Sequence, residues 1–397
     1  MKQSLPWFVM AHFGHHLLTA LPGPLLPSIR TAFGLNNFQA TMVTTSYAFS
    51  SGAGNIPAGR LVDKIGPTIL LTIGTLGVAI GGMLTGLSHS YSMFLVFLVV
   101  MGLMTAGYHP ASTPMILSAV EPEKRGRALG FHLVGGNASF FVAPLIAGGI
   151  MWLWPSQGFH GPFIILSIPT AIFGIIFYIY LTKRGGLTHV NVAKKKLTEE
   201  KPPQPGYKRR LWAYLIQMVV GGGAGMSVQA LMSLYIVDKL GATDTSVTWI
   251  MSVSFLPAIV GGTVIGGWIS DRIGSVKIIV ATGILSGLLI FWVRASTAIN
   301  FWFFLLLFIM GVNNAIRMPV TEVFIMGQTP SKNRATIYGI YYFTMQYTGA
   351  IFAPVYGWLV PNHYTYEQVF LFSAIAVTAV SVVTSFFFWD AKEPNKV

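Results

Sequence analysis

The chain has 397 residues, of which 53% are hydrophobic and only 9% are charged, with a mean hydropathy of +0.63. A soluble domain carries about 25% charged residues, so this composition excludes an ordinary soluble protein. The absence of cysteine excludes disulfides and thiolate metal sites. The formal net charge of +13 comes from bases in short gaps between apolar stretches, which indicates membrane topology rather than nucleic-acid binding.

Twelve apolar stretches follow one another along the chain, each close to the roughly 20 residues that a helix needs to cross a membrane. The pattern predicts an all-α membrane protein with twelve transmembrane helices. We expect the first stretch to remain as a span, because it lacks the basic region and cleavage site of a signal peptide. The predicted spans begin near Phe8, Phe38, Pro67, Tyr91, Arg127, His160, Leu211, Ser246, Val276, Ile299, Ala335 and Glu367.

The basic residues predict the orientation of these spans. Of the 25 Lys and Arg residues, 21 fall in segments on the same side of the membrane as the N-terminus. The positive-inside rule therefore places both termini in the cytoplasm of a multi-pass inner (plasma) membrane protein. One long polar segment, residues 182–210, is predicted to be a cytoplasmic linker. It separates two expected six-helix domains, residues 1–181 and 211–397.

The two halves of the chain repeat one another at a fixed spacing. The repeated pairs, each 209 positions apart, are Met101 and Met310, Gly102 and Gly311, Pro110 and Pro319, Arg125 and Arg334, and Gly130 and Gly339. A constant offset indicates two copies of one six-helix unit. Two parallel six-span repeats are an architecture of secondary transporters, with the substrate cavity between the halves near the midplane. We therefore expect two pseudo-symmetric six-helix bundles.

A short loop motif occurs once in each half, after the second and the eighth predicted spans. Gly59-x-x-x-Asp63-Lys64-x-Gly66 and Gly267-x-x-x-Asp271-Arg272-x-Gly274 resemble the signature loop of the major facilitator superfamily. The resemblance covers almost the whole chain and implies the fold of that family. The family usually continues with two further bases, where the first copy has Pro67-Thr68. The resemblance also implies a conformational latch formed by Gly59, Asp63, Lys64, Gly66, Gly267, Asp271, Arg272, Gly274, Arg125 and Arg334.

A second resemblance concerns small residues around prolines in the fifth and eleventh spans. Their spacing is similar to the antiporter motif of drug-proton antiporters, although a motif present in both halves also fits plain helix packing. The residues concerned are Gly130, Ala143, Pro144, Gly148, Pro354 and Gly357. The runs "GYHPAS" and "GFHLVGGN", residues 107–112 and 130–137, resemble the fosmidomycin-resistance branch more loosely. Ala111 stands where that branch tends to carry an acid.

Ionisable residues inside predicted spans mark candidate functional sites, because they are costly in lipid. Arg317 and Glu322 lie in the tenth span, where the first half has Tyr108 and Thr113. Arg317 is a candidate to bind an anionic substrate group, and Glu322 to carry a proton. The alternative for both is a structural ion pair. Since the two residues are five apart, we expect each to find partners on another helix.

The first span carries His12, His15 and His16 at helical spacing. Imidazole titrates near neutral pH, which suits proton coupling, whereas buried, hydrogen-bonded histidine is the structural alternative. A transition metal is a further alternative, but the spacing alone is weak, and we assign no metal. The candidates for substrate binding or proton coupling are Arg317, Glu322, His15, His16, His109, His132, Asn137, Asn313, Asn314 and Gln346.

These features predict a secondary transporter that works by alternating access, and not an enzyme, since no nucleotide motif or nucleophile-base pair is present. The preferred hypothesis is proton-coupled efflux of a small organic or drug-like compound. The alternative is an organic-anion symporter, exchanger or uniporter with Arg317 as the binding cation. The expected partners are a small-molecule substrate, protons and the lipid bilayer, with no cofactor and no nucleic acid. The expected oligomeric state is a monomer.

Overall fold

The computed structural model describes residues 4–120, 125–183, 205–259, 262–329, 334–388 and 390. Within these ranges the regular structure is entirely helical. Contacts divide the chain into two compact units. The first unit comprises residues 1–194 and 242–255, and the second comprises residues 195–241 and 256–397.

Nine α-helices lie in the described part of the first unit, with short 3-10 turns at Pro155–Gln157 and Val253–Phe255. The helices are α1 (Leu5–Thr19), α2 (Leu26–Phe33), α3 (Asn37–Ile65), α4 (Pro67–Gly86), α5 (Tyr91–Thr105), α6 (Tyr108–Ala119), α7 (Arg125–Leu153), α8 (His160–Lys183) and α11 (Ser246–Ser252).

The described part of the second unit contains eight α-helices. They are α9 (Tyr207–Gln217), α10 (Gly223–Asp238), α12 (Leu256–Ile259), α13 (Gly262–Ile273), α14 (Ser275–Arg294), α15 (Phe301–Gln328), α16 (Arg334–Asn362) and α17 (Tyr366–Ser385). A π-helical turn, Met218–Gly222, joins α9 to α10 so that they form one long span.

The predicted spans coincide with helical segments of the described residues. Eight segments are long and apolar enough to cross a membrane, and the other predicted spans fall on α1–α2, α3, α11–α13 and α16. The predicted all-α membrane fold is therefore confirmed. Residues 242–255, which the sequence places in the second half, group with the first unit because α11 packs against α7.

Helix pairing within each unit follows the sequence repeat. In the first unit α4 packs on α8, α5 on both α3 and α4, and α1 on α7. In the second unit α14 packs on α17, α15 on both α13 and α14, and α10 on α16. These are corresponding pairs under the duplication, so the two copies share one internal arrangement.

Polar side chains fix where several spans begin. The Asn36 side chain accepts a hydrogen bond from the Gln39 N–H, and the Gln39 side chain accepts one from the Asn36 N–H, so α3 starts with a capping box. Thr365 and Gln368 form the same arrangement before α17. These caps satisfy amides that would otherwise lack partners in the first turn.

Each signature loop ends in one glycine, which lies between two helices. Gly66 has φ 84° and ψ 154°, and Gly274 has φ 101° and ψ 143°. This region of backbone space is essentially restricted to glycine. It lets α4 and α14 start directly after α3 and α13, which explains why both copies of the loop end in glycine.

The second unit holds its C-terminal segment by charged groups. The Arg210 side chain is fully buried, and its Nε donates to Gln328 Oε1 at 2.6 Å while Nη1 donates to Asp390 Oδ1 at 2.8 Å. Arg209 also pairs with Asp390. Although partial burial alone would raise the pKa of the Asp390 carboxyl, the hydrogen bonds from Arg210 and Arg209 hold that pKa below its ordinary value.

Candidate functional site

A partly open cavity of about 220 Å³ lies within the second unit. It is lined by Gln217, Gly221, Gly222, Gly225, Met226, Gln229, Gly283, Ser286, Leu289, Ile290, Met310, Asn313, Asn314, Arg317, Val377 and Ser381. The lining combines flexible and branched apolar side chains with amides, hydroxyls and one guanidinium. A cavity of this composition suits a small organic ligand with a few polar groups.

Arg317 lines this cavity and is anchored by a neighbouring helix. Its Nη1 donates to the Ile279 carbonyl at 2.9 Å and to Thr282 Oγ1 at 3.2 Å, both on α14. These contacts fix the guanidinium on the cavity wall without neutralising its charge. No acidic residue is among the lining residues given above, so the described lining carries a formal charge of +1.

Two amide side chains of the same lining, Asn313 and Gln217, have buried oxygen acceptors. Asn313 donates through Nδ2 to Ser286 Oγ at 2.7 Å and to the Thr282 carbonyl at 3.1 Å, while its buried Oδ1 has no partner among the described residues. Gln217 donates through Nε2 to Ser381 Oγ at 3.2 Å, and its buried Oε1 likewise has no partner among the described residues. A buried acceptor without a partner is costly, so rotation of either side chain toward the cavity would be favoured when a ligand offers an N–H or O–H group.

The other predicted residues of this unit are Asn314, Glu322 and Gln346. Asn314 is exposed on the cavity wall, next to Asn313. Glu322 is half-buried further along α15 and is not part of the cavity lining. The side chain of Gln346 lies outside the described part of α16. The structure thus brings Asn313, Asn314 and Arg317 into one site.

Five histidines of the first unit lie together in a second polar centre, the histidine cluster: His12, His15, His16, His109 and His132. The rings of His12 and His132 stack at 4.1 Å between centroids, and those of His12 and His109 meet edge to face at 5.4 Å. His15 stacks on Tyr108 at 4.2 Å. His12, His15 and His132 are buried, whereas His109 is exposed.

Backbone and hydroxyl groups orient the rings of the histidine cluster. His12 Nδ1–H donates to the His132 carbonyl at 2.8 Å, and His132 Nδ1–H donates to the Phe8 carbonyl at 3.1 Å. His16 Nδ1 lies 3.0 Å from Thr19 Oγ1. Asn137 is half-buried on α7, the helix that carries His132. Sequence spacing predicts the row on α1, but only the fold adds His109 from α6 and His132 from α7.

The latch residues are described in part. Lys64 is exposed at the end of α3, and the Arg272 guanidinium lies 3.9 Å above the Trp268 ring. Gly66 and Gly274 are the positive-φ glycines described above. The side-chain environments of Gly59, Asp63, Gly267, Asp271, Arg125 and Arg334 lie outside the described residues. The proposed latch pairing stays a prediction.

The small-residue motif of α7 forms a close helix contact. A Cβ at Gly148 would overlap the side chains of Thr248 and Trp249 on α11. Trp249 Nε1 donates to the Leu145 carbonyl at 3.2 Å, next to the buried Pro144. Ala143 is fully buried, Pro354 and Gly357 are buried in α16, and Gly130 has open space where a Cβ would lie.

Sequence reasoning misses several residues of the cavity. Gln217, Ser286 and Ser381 contribute its polar wall, and Met226 and Met310 its apolar wall. Their polar signal is a single amide or hydroxyl in an otherwise apolar span, which more often bonds neighbouring helices. Only the packing of α9, α14, α15 and α17 shows that these side chains meet.

Comparison with known proteins decides the family. The sequence profile described as Major Facilitator Superfamily matches residues 8–238 and 213–397. The chain belongs to the major facilitator superfamily. It is similar to two proteins called multidrug resistance protein MdtG. The protein of Enterobacter lignolyticus (strain SCF1) is 25% identical over 91% of this chain and 86% of its own length. The protein of Proteus mirabilis (strain HI4320) is 25% identical over 89% of this chain and 88% of its own length.

Solved structures of this superfamily share the fold. A peptide transporter POT in complex with sulfate has a TM-score of 0.79 and 15% identity, covering 96% of this chain and 93% of its own. A POT family transporter in complex with a thioalcohol-conjugated peptide has a TM-score of 0.77 and 13% identity. The match covers 97% of this chain and 96% of that transporter chain. The major facilitator fold, two pseudo-symmetric six-helix bundles, is therefore confirmed. The protein is a multi-pass membrane transporter whose partners are a small-molecule substrate and the bilayer.

Proposed function

We propose that this transporter exports a small amphipathic organic compound in exchange for protons, by alternating access of its two halves. The proposed setting is a bacterial-type inner membrane with both termini in the cytoplasm. The working unit is a monomer, which light scattering of the purified protein tests through its mass. Similarity to multidrug resistance proteins over most of the chain supports export of drug-like compounds.

The observation that carries this proposal is the mixed lining of the cavity in the second unit. Met226 and Met310 offer flexible, polarisable surfaces that adapt to different apolar shapes. The acceptor oxygens of Asn313 and Gln217 favour ligands with N–H or O–H groups. Together these groups suit an amphipathic molecule whose apolar part varies and whose polar part is fixed.

Glu322 is the proposed proton carrier. It is the carboxylate of the tenth span, half-buried on α15 five residues beyond Arg317. A carboxylate in a span is costly when ionised and can take up a proton as its surroundings change. Its place on the helix that lines the cavity suits coupling between proton exchange and substrate release.

Proteoliposomes with an imposed pH gradient test the proposal. Wild-type protein should accumulate a fluorescent lipophilic drug when the gradient is present and lose that accumulation when a protonophore collapses it. Glu322→Gln should keep drug binding but lose gradient-driven accumulation. Glu367→Gln is the matched control, because Glu367 is a half-buried carboxylate that pairs with Lys239 at 3.3 Å outside the cavity. Full accumulation by Glu322→Gln would exclude the assigned role.

A second candidate function is organic-anion transport, which the fixed charge of Arg317 favours. A carboxylate or phosphate group on the ligand would meet the free face of the guanidinium, while Asn313 and Gln217 bind its donors. Such a ligand should raise the melting temperature of wild-type protein. At 100 times its dissociation constant, a ligand stabilises the folded state by about 2.7 kcal/mol.

A thermal-shift screen with organic anions, lipophilic cations and neutral drugs separates the two functions. Under anion transport, anions protect wild type but not Arg317→Gln. Arg294→Gln is the control, because Arg294 lies at the end of α14 over the Phe291 ring and outside the cavity lining. Protection by neutral drugs alone, equal in all three proteins, would favour the exporter and exclude an anion-binding role for Arg317.

A further inference from the structure

The histidine cluster has the composition of a transition-metal site. Ligand nitrogens of His12, His16 and His109 all lie within 4.8 Å of one another. A zinc ion bound tetrahedrally at 2.0–2.1 Å would need nitrogens about 3.4 Å apart. Small side-chain rotations close the difference, and His109 has the freedom to make them because it is exposed.

The hydrogen bonds of the cluster leave metal-binding lone pairs available. Because the His12 Nδ1–H donates to the His132 carbonyl, His12 Nε2 carries a lone pair, and this buried atom has no partner among the described residues. Metal-bound histidine almost always donates its other ring N–H in this way. The Thr19 hydroxyl lies within reach of the His16 carbonyl at 3.4 Å, so its oxygen accepts from His16 Nδ1–H and leaves His16 Nε2 free to coordinate.

A glycine packs closely against the His12 ring of the cluster. Gly136 on α7 faces the His12 ring, and a Cβ there would lie 2.8 Å from His12 Nε2. His109, in contrast, is exposed. The cluster therefore combines two oriented, inward-lying donors with one exposed ligand.

The donor set selects the class of ion. Imidazole nitrogen suits Zn²⁺, Cu²⁺, Ni²⁺ and Co²⁺, whereas Mg²⁺ and Ca²⁺ require oxygen ligands. The helices α1, α6 and α7 contain no Asp or Glu, so neutral imidazoles are the ligands and the fourth position is open to an exchangeable anion or water.

We propose that His12, His16 and His109 form a binding site for one divalent first-row transition-metal ion, with His132 and Thr19 positioning the ligands. A bound ion would connect α1 and α6, with α7 supporting it through the His132 carbonyl. Sequence spacing within α1 alone is a weak metal signal and assigns no metal. His109 of α6 supplies the third ligand that a single helix lacks. This proposal does not depend on drug export.

Cobalt titration of protein purified without a polyhistidine tag tests the site. Wild type should bind one Co²⁺ with the intense visible absorption of tetrahedral cobalt, and added Zn²⁺ should displace it. His109→Gln should weaken binding at least about tenfold, and Thr19→Val, which removes the hydroxyl that accepts from His16 Nδ1–H, should weaken it by about 10–100-fold. His109 is exposed, so its replacement should leave the fold intact.

His363→Gln is the matched control, because His363 lies in the second unit against the Trp358 ring and away from the cluster. It should bind Co²⁺ as wild type does. Absence of bound Co²⁺ at micromolar concentrations in folded wild type would overturn the proposal. So would equal binding by His109→Gln and His363→Gln. Drug accumulation in proteoliposomes is measured separately from cobalt binding. Failure of the metal-site proposal can therefore be told apart from failure of the export proposal.

Discussion

The fourth and tenth spans are copies of one helix that carry different chemistry. At the offset of 209 residues, Tyr108 and His109 in the first unit correspond to Arg317 and Met318 in the second. Tyr108 is fully buried against the histidine cluster, whereas Arg317 lines an open cavity. The copies retain the same helix pairing, so the duplication preserves the scaffold while a few side chains set the polarity of each centre.

This difference has an electrostatic cause. The polar centre of the first unit consists of imidazoles on helices that lack acidic residues. The centre of the second unit is a permanent cation, which is tolerated because it faces a cavity and hydrogen-bonds to α14. A charge is acceptable where water or a ligand reaches it and costly where it is enclosed. Exchanging the two residues should therefore have unequal effects.

The largest effect is expected from Tyr108→Arg. It would bury a guanidinium beside His12 and His15 without a compensating acid on α1, α6 or α7. An uncompensated buried charge costs about 3–5 kcal/mol, so the yield of monodisperse protein should collapse. Tyr108→Phe is the control, since it removes only a 3.4 Å bond to the Phe8 carbonyl. A normal size-exclusion profile for Tyr108→Arg would contradict the inference that the fourth span, unlike the tenth, does not tolerate a cation.

The shared scaffold predicts an equal response at the two signature loops. Gly66→Ala and Gly274→Ala each force a Cβ into backbone angles that side chains avoid, at a cost of about 1–3 kcal/mol. Thermal unfolding should show similar losses for the two variants. Gly130→Ala is the control, because open space in a helix should make that change neutral or stabilising. A loss confined to one loop would show that the copies differ in structure.

A smaller effect on stability is expected from the reciprocal exchange, Arg317→Tyr. The variant gives up hydrogen bonds to Ile279 and Thr282, each worth about 1 kcal/mol, and buries no new charge. It should fold, and its melting temperature should stay within a few degrees of wild type. Any protection by organic anions should disappear. Misfolding comparable with that of Tyr108→Arg would show that Arg317 is structural.

The smallest effect concerns pH and the ionic contacts of the second unit. The folded-state pKa of Asp390 is lowered, so its contribution to stability is present above the ordinary Asp value of about 3.9 and is lost as pH falls through the lowered pKa. Asp390→Asn should flatten this acidic part of the stability curve. Melting temperatures from pH 7 to pH 3 measure it. Identical pH profiles for wild type and variant would show that Asp390 does not contribute to the pH dependence of stability.

Local signals in the sequence are sufficient to predict the architecture. Span length, the offset of 209 and the paired signature loops predicted the helical segments and the family, because lipid requires long apolar helices and a duplication leaves a fixed register. Arg317, Asn313 and the histidines of α1 were identifiable as costly polar groups inside spans. These signals are local, and a single sequence carries them.

The tertiary structure decided which polar groups meet. His109 joins His12 and His16 only because α6 packs against α1, and Gln217 joins Arg317 only because α9 and α15 pack in one unit. Residues 242–255 likewise join the first unit through the approach of α11 to Gly148. Such contacts depend on helix rotation and on the space that glycines leave, which hydropathy does not encode.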